Sequence, residues 1–282
     1  MGIVFLLTLA FCIFEFIGAR LSNSLALLAD AGHMLTDLAA LGLAFFASRM
    51  ATKRATHKMS YGFYRVEILS ALINGAALLM LAVFIVKEAF GRLETVPEIR
   101  TQLMLTVAFV GLVINLLNGF LLYRFAERDM NIRSALYHII SDTLSSVGTI
   151  LAGLVIAKTG WRYADPLASC VIAVLIVASA WRLLKDVVNV LLEAAPSHID
   201  VRILEQKMLS IEGVLAIHDL HVWSITSGKE SLSAHLEVGE GTDRDGVLNQ
   251  MNEMLSREFD VHHTTLQVEA PHRRTDEGRH FH

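Results

Sequence analysis

The chain has 282 residues, of which 54% are hydrophobic and 18% are charged, and its formal net charge is −4. Because soluble domains typically carry about 25% charged residues, this composition excludes a wholly soluble protein. The acidic net charge and the lack of a basic stripe argue against a partner made of nucleic acid. Long apolar runs end near residue 192, and the chain from residue 196 onward is polar and mixed. The sequence therefore predicts a membrane domain followed by a small soluble domain.

The membrane domain is predicted to be an all-α bundle of six helices. A helix needs about 20 mostly apolar residues to cross the lipid bilayer. The first run contains Glu15 and lacks a basic region before it, so it is interpreted as a retained helix that starts abruptly rather than as a signal peptide. The predicted spans cover residues 2–20, 25–48, 63–91, 101–124, 134–157 and 166–191.

Basic residues predict the orientation of these spans. Lys and Arg are concentrated in the connections at 49–58 and 124–133, and they are sparser in the connections on the opposite side. Because positive charge marks the cytoplasmic side of a membrane protein, both termini and the soluble domain are predicted to face the cytoplasm.

Two similar motifs, HMLTD at 33–37 and HIISD at 138–142, lie inside apolar runs. Residues four apart share one face of a helix, so His33 is paired with Asp37 on the second helix and His138 with Asp142 on the fifth. An odd number of crossings separates the two helices, so they are predicted to run antiparallel. Such inverted pairs of helices are common around transporter binding sites.

A single motif of this kind has two equally good explanations: its His and Asp form a buried hydrogen-bonded pair, or they bind a ligand. Two motifs place four costly polar groups in the membrane, which favours a functional reason. Two imidazole nitrogens and two carboxylates form a tetrahedral ligand set that Zn²⁺ accepts. With two ionised carboxylates and neutral imidazoles, the loaded site has no net charge, whereas the empty site carries −2. Protons that compete for the same lone pairs would remove that charge, which predicts exchange of zinc for protons.

Asp30 lies on the same helix face as His33 and Asp37. Two interpretations remain open at this point. The carboxylate either relays protons and attracts cations, or caps and hydrates the outer end of its helix.

The soluble domain is predicted to be a small α+β unit between residues 198 and 270, with the order αββαβ. Two segments have helical periodicity, and three segments are rich in strand-forming residues. Two helices would then pack on one face of the sheet. The small size of the unit suggests that it is supported by dimerisation.

Four stretches carry a family signature: SNSLALLADAGHMLTD, YGFYRVEIL, YHIISD and HDLHVWSI. Together they resemble the cation diffusion facilitator family, and more narrowly its zinc-transporting branch of the bacterial zinc, cadmium and cobalt efflux type. The resemblance implies a homodimer with six spans at 1–192, a cytoplasmic metallochaperone-like domain at 196–271, and efflux of Zn²⁺, or of Cd²⁺ or Co²⁺, in exchange for protons. It also implies two metal sites. The ligands of the membrane site are His33, Asp37, His138 and Asp142. The ligands of the site in the cytoplasmic domain are His218, His235, His262 and Glu269.

The chain departs from some zinc transporters in one connection. The stretch AERDMNIR, between the fourth and fifth spans, is short and contains no His, which favours a plasma-membrane exporter over a transporter that loads an organelle. An enzyme is not expected, because a membrane zinc hydrolase typically carries HExxH and this sequence has none. A metal-gated receptor or channel with a cytoplasmic sensor remains the alternative. The tail at 272–282 is expected to be disordered.

Overall fold

A computed structural model describes residues 2–125 and 131–271, with the backbone alone at 2–7, 118, 121–125 and 131–139. Residues 126–130 of the predicted fourth connection and the predicted tail at 272–282 lie outside the described residues. Six long helices come first, and a small α+β unit follows. The helices are α1 (Gly2–Ser22), α2 (Leu25–Ala51), α3 (Arg65–Glu94), α4 (Thr101–Phe125), α5 (Asn131–Thr159) and α6 (Ala164–Leu191).

The predicted helical membrane region is confirmed. Within the described residues, four helices are each long and apolar enough to cross a membrane, namely α2, α3, α5 from Ile140 onward, and α6. The described apolar part of α4, Thr101–Leu117, is shorter. At about 1.5 Å per residue, a helix of 20 residues spans about 30 Å, which matches the hydrocarbon core of a bilayer.

Helices α2 and α5 run antiparallel, as the two motifs predict. Asp30 of α2 accepts a hydrogen bond from Ser145 of α5, and one turn later His33 approaches Asp142. From the first contact to the second, the residue number rises from 30 to 33 on α2 and falls from 145 to 142 on α5. The two helices therefore run in opposite directions.

The start of α2 is held by a carboxylate from another helix. Asp165, in the first turn of α6, is 0% exposed. Its oxygens accept hydrogen bonds from the Ser24 hydroxyl at 2.6 Å and from the backbone N–H groups of Leu25 at 2.7 Å and Ala26 at 3.2 Å. The first N–H groups of a helix have no hydrogen-bond partner inside the helix. Asp165 accepts hydrogen bonds from two of these groups, which would otherwise be buried without an acceptor.

Small residues allow the helices of the bundle to approach closely. A Cβ atom added to Gly18 of α1 would lie 2.6 Å from Cγ2 of Val107 on α4. In lipid, helices associate mainly through this kind of close packing, because lipid tails are as apolar as the side chains. Buried apolar side chains fill the interior of the bundle, among them Leu27, Leu78, Ile85, Met104 and Ile176.

The C-terminal α+β unit has the predicted order αββαβ. Its elements are α7 (Val201–Leu209), β1 (Val214–Thr226), β2 (Lys229–Val238), α8 (Arg244–Phe259) and β3 (His263–Glu269). The sheet has the order β1-β2-β3, in which β1 and β2 are antiparallel, β2 and β3 are parallel, and α8 forms the crossover. Both helices pack on the same face of the sheet, where they form one core with β2 through Leu204, Met208, Leu232, Leu236, Met251 and Leu255.

Each helix of the α+β unit begins with an aspartate cap. Asp200 caps α7 and Asp243 caps α8, each by accepting a hydrogen bond from a backbone N–H of the first turn. The bond from the backbone N–H of Arg202 holds the pKa of the exposed Asp200 carboxyl below its usual range.

The connection between α2 and α3 belongs to the same compact unit as the three-stranded sheet. The Thr226 hydroxyl on β1 donates a hydrogen bond to Glu67 at 2.7 Å, and Arg65 forms an ion pair with Glu193 at 2.8 Å. The structural unit therefore combines residues 47–69 with residues from 185 onward, a grouping that the apolar runs of the sequence do not indicate.

Candidate metal centres

Three of the four residues predicted for the membrane site converge in the bundle. Nε2 of His33 lies 3.9 Å from Oδ2 of Asp37 and 3.8 Å from Oδ1 of Asp142. Two ligand atoms that each lie about 2 Å from one Zn²⁺ ion are at most about 4 Å apart, so these separations fit a shared ion. His33 is buried at 7% exposed, which limits competition from water.

Helical spacing explains the pairing within α2. Asp37 follows His33 by one turn, and Thr36 turns its hydroxyl back to its own helix, where it donates a hydrogen bond to the His33 carbonyl at 2.7 Å. On α5, His138 precedes Asp142 by one turn, but only its backbone is described. The side chain of this fourth predicted ligand thus lies outside the described residues.

The second candidate site depends on the register of three strands. His218 on β1 is directly opposite His235 on β2. His235 is in turn opposite Gln267 on β3, so Glu269, two residues further, lies on the same face of the sheet. This face is opposite to the one that α7 and α8 cover.

A β-bulge in β1 brings a further polar group to this face. The register shifts between His218 and His221, whose partners on β2 are His235 and Ser233. Two residues on β1, Asp219 and Leu220, therefore oppose one on β2, Ala234, and the extra residue lets His221 share the face of His218. Asp219 takes the left-handed conformation, with φ of 51°, inside the bulge. Its Oδ1 lies 3.0 Å from Nε2 of His221.

The ligand atoms of His218, His235 and Glu269 all lie within 4.8 Å of one another. Nδ1 of His235 is 3.0 Å from Oε1 of Glu269, and Nε2 of His218 is 3.5 Å from Oε2 of the same carboxylate. Both nitrogens are buried, yet neither has a hydrogen-bond partner among the side chains that the structure describes. Buried polar atoms without hydrogen bonds are rare. Imidazole nitrogens and carboxylate oxygens that point at one another are suited to bind a divalent metal ion between them.

His262, the fourth residue predicted for this site, is not part of the cluster in the structure. It follows the end of α8, and its side chain is 67% exposed. Its Nδ1 lies 2.9 Å from the Ser256 hydroxyl and its Nε2 lies 2.9 Å from Oδ1 of Asp260. His262 would have to leave both partners to join the three other residues.

Two acidic residues near the cluster were missed by the sequence analysis. Glu237 lies opposite Glu269, with Oε1 at 3.9 Å from Nε2 of His218. Oδ2 of Asp219 lies 3.9 Å from Nε2 of His235. Strand alternation from His235 points to Glu237, since residues two apart share a face, whereas Asp219 reaches the cluster only through the bulge.

Two family models cover almost the whole chain. The model for the cation efflux transmembrane domain matches residues 1–192, and the model for the cation efflux protein cytoplasmic domain matches residues 196–271.

Known proteins with similar sequences cover most of the chain. The cadmium, cobalt and zinc/H⁺-K⁺ antiporter of Bacillus subtilis is 41% identical over 95% of this chain and 88% of its own length. The metal cation efflux system protein CzcD of Cupriavidus metallidurans is 39% identical over 98% of this chain and 88% of its own length. The zinc transporter ZitB of Escherichia coli is 40% identical over 93% of this chain and 84% of its own length.

Among solved structures, the metal-bound C-terminal domain of CzcD from Cupriavidus metallidurans is 38% identical to this chain. The match covers 25% of this chain and 99% of the solved chain, with a TM-score of 0.25.

Proposed function

This chain belongs to the cation diffusion facilitator family, and from that membership we propose that it exports Zn²⁺ from the cytoplasm in exchange for protons. It is a multi-pass plasma-membrane transporter that exports divalent metal, and it is not an enzyme. The choice of zinc over cadmium and cobalt, the counter-ion and the residues that bind the metal are the proposed parts.

The observation that supports the membrane site best is the approach of His33 to carboxylates from two antiparallel helices. We assign His33, Asp37, His138 and Asp142 as the ligands of the transported ion. A Zn²⁺ ion with two carboxylates and two neutral imidazoles has no net charge, which makes the loaded site tolerable in a low-dielectric setting. Imidazole ligands also disfavour Mg²⁺ and Ca²⁺, which prefer oxygen.

Proton exchange is supported by the charge of the empty site. Two ionised aspartates carry −2, and each buried charge at the centre of a bilayer costs at least about 2.5–3.5 kcal/mol. Protons and Zn²⁺ compete for the same lone pairs, so release of the metal favours uptake of protons. The counter-ions named for the Bacillus subtilis relative include H⁺.

In the cytoplasmic domain we propose a second metal site, with a regulatory role, formed by His218, His235 and Glu269. The sequence-based assignment of His262 to this site stays a prediction. We further propose that two chains form a homodimer and that both termini face the cytoplasm. The match to the family's cytoplasmic domain and the small core of the unit support the dimer. The distribution of Lys and Arg supports the orientation.

Transport in proteoliposomes tests the exchange directly. With equal zinc on both sides and a permeant anion present to dissipate the membrane potential, an imposed pH gradient is expected to drive zinc into the acidic compartment. Asp186→Asn, a change at an exposed carboxylate of α6, is the matched control and should behave as the wild type. Zinc that remains evenly distributed would instead indicate a uniporter or a channel.

A further inference from the structure

Two buried carboxyl groups lie in the bundle outside the proposed zinc ligands. Glu15 of α1 is 1% exposed and Asp30 of α2 is 3% exposed, and the two carboxyl groups are close enough to interact directly. Two ionised carboxylates have only acceptors, so a direct contact between them requires a proton or another cation.

The surroundings of this carboxyl pair are rich in oxygen. The hydroxyls of Ser145 and Ser146 on α5 donate to the two oxygens of Asp30, at 2.8 Å and 3.4 Å. Asn115 of α4 donates to the Ser146 hydroxyl at 3.3 Å. The pair is thus enclosed by α1, α2, α4 and α5, and the hydroxyls fix the position of Asp30.

One oxygen of the carboxyl pair is left without a donor. Oε2 of Glu15 is buried and has no hydrogen-bond partner among the described side chains. The titratable groups that face the pair are His33 on α2, Asp142 on α5 and Cys12 on α1 itself. The Asp142 carboxylate adds negative charge near the pair, and an unpaired buried carboxylate is strongly unfavourable. A cation at Oε2 of Glu15 would satisfy both the unpaired oxygen and the charge.

The donor set indicates which cation this is. Oxygen-only sites favour hard ions, whereas Zn²⁺ is bound more readily where imidazole or thiolate takes part. Asp30 precedes His33 by one helical turn, so a cation at the carboxyl pair repels a Zn²⁺ ion at the proposed metal site. Occupancy of one site therefore disfavours occupancy of the other, as an exchange of ions requires.

From these contacts we infer that Glu15 and Asp30 form a binding site for the counter-transported cation, a hard monovalent ion, separate from the zinc ligands. The inference rests on the proposed antiport. A proton and K⁺ share this chemistry, and experiments with each gradient distinguish them.

Two transport measurements separate the coupling of zinc to the counter-ion from the binding and movement of zinc itself. Exchange of zinc for isotopic zinc needs only the loaded transporter, whereas accumulation of zinc against its gradient needs the return with a counter-ion. Glu15→Gln keeps the size of the side chain and removes its charge. We expect the ratio of gradient-driven accumulation to exchange to fall by roughly tenfold, within the range of coupling between sites. Glu15→Asp should restore part of the ratio, and Asp186→Asn should leave it unchanged.

The counter-ion is identified by measuring accumulation under each gradient separately, with a permeant anion in both arms. A pH gradient in potassium-free buffer tests the proton, and a K⁺ gradient at equal pH tests K⁺. The counter-ion is the one whose gradient drives zinc accumulation by the wild type but not by Glu15→Gln. Equal loss of exchange and accumulation in both Glu15→Gln and Asp30→Asn, or no change in either arm, would overturn the inference. A wild type that responds to neither gradient would overturn the proposed antiport itself.

Discussion

His33 approaches one carboxylate on its own helix and one on α5, so the three side chains depend on one another for their charge balance. If one partner is removed, a buried charge is left without compensation. The spacing of four residues was enough to predict His33 with Asp37, because the helical period fixes which residues share a face.

Each single change His33→Ala, Asp37→Ala, His138→Ala and Asp142→Ala is expected to abolish zinc transport in proteoliposomes while leaving the protein folded. Leu35→Ala is the matched control, since Leu35 lies between the ligands in sequence but is exposed on the outside of α2. Near-normal zinc flux in any two of the ligand variants would rule out the four-ligand site. Circular dichroism in detergent verifies that each variant keeps its helices.

The residues of the cytoplasmic cluster are harder to predict from sequence, because they come from three strands. His218 meets His235 only through the antiparallel register, and Glu269 joins them through a parallel pairing made by the crossover of α8. Sequence spacing does not fix either register, and the bulge at Asp219 changes which residues of β1 share a face.

Zinc binding to this cluster is expected to depend on His235. In full-length protein carrying Asp37→Ala to disable the membrane site, calorimetry should detect binding that His235→Ala removes. His221→Ala is the control, because His221 lies on the same sheet face but outside the three-residue cluster. The same measurement on His262→Ala decides whether His262 is a ligand. Zinc binding that is unaffected by His235→Ala would contradict the proposed site.

At the scale of elements, the start of α2 is fixed by a residue that the sequence pattern does not single out. Asp165 opens an apolar run, and its partners Ser24, Leu25 and Ala26 are about 140 residues earlier in the chain. Helical periodicity predicts the existence of α2 and α6 but not this contact between them. The same limit applies to Glu15 and Asp30, whose pairing depends on the packing of α1 against α2.

Asp165→Ala is expected to destabilise the bundle and weaken zinc binding, because α2 carries His33 and Asp37. Each buried N–H that loses its acceptor costs about 1–3 kcal/mol. Thermal unfolding in detergent should show a lower midpoint for Asp165→Ala, and zinc titration should show a lower affinity. Asp186→Ala removes an exposed carboxylate from the same helix and should leave both values unchanged. An unaltered midpoint in Asp165→Ala would show that the cap does not stabilise α2.

At the scale of the whole molecule, composition predicted the division into a membrane bundle and a small α+β domain. Apolar length identified the long helices, and segments rich in strand-forming residues identified the strands. The position of the α2–α3 connection could not be predicted in this way. Its contacts with the cytoplasmic sheet join residues far apart in sequence, such as Glu67 and Thr226.

The cap on α2 also has a consequence for biogenesis. A chain made from its N-terminus exposes α2 long before Asp165 has been synthesised. Until α6 is inserted, the N–H groups of Leu25 and Ala26 lack the acceptor that they have in the complete chain. A backbone N–H that is buried without its acceptor costs about 1–3 kcal/mol, so the partial bundle holds the start of α2 less firmly. The helix that carries His33 and Asp37 therefore gains this cap only when α6 arrives, and a membrane domain truncated before α6 would hold the proposed metal site less firmly.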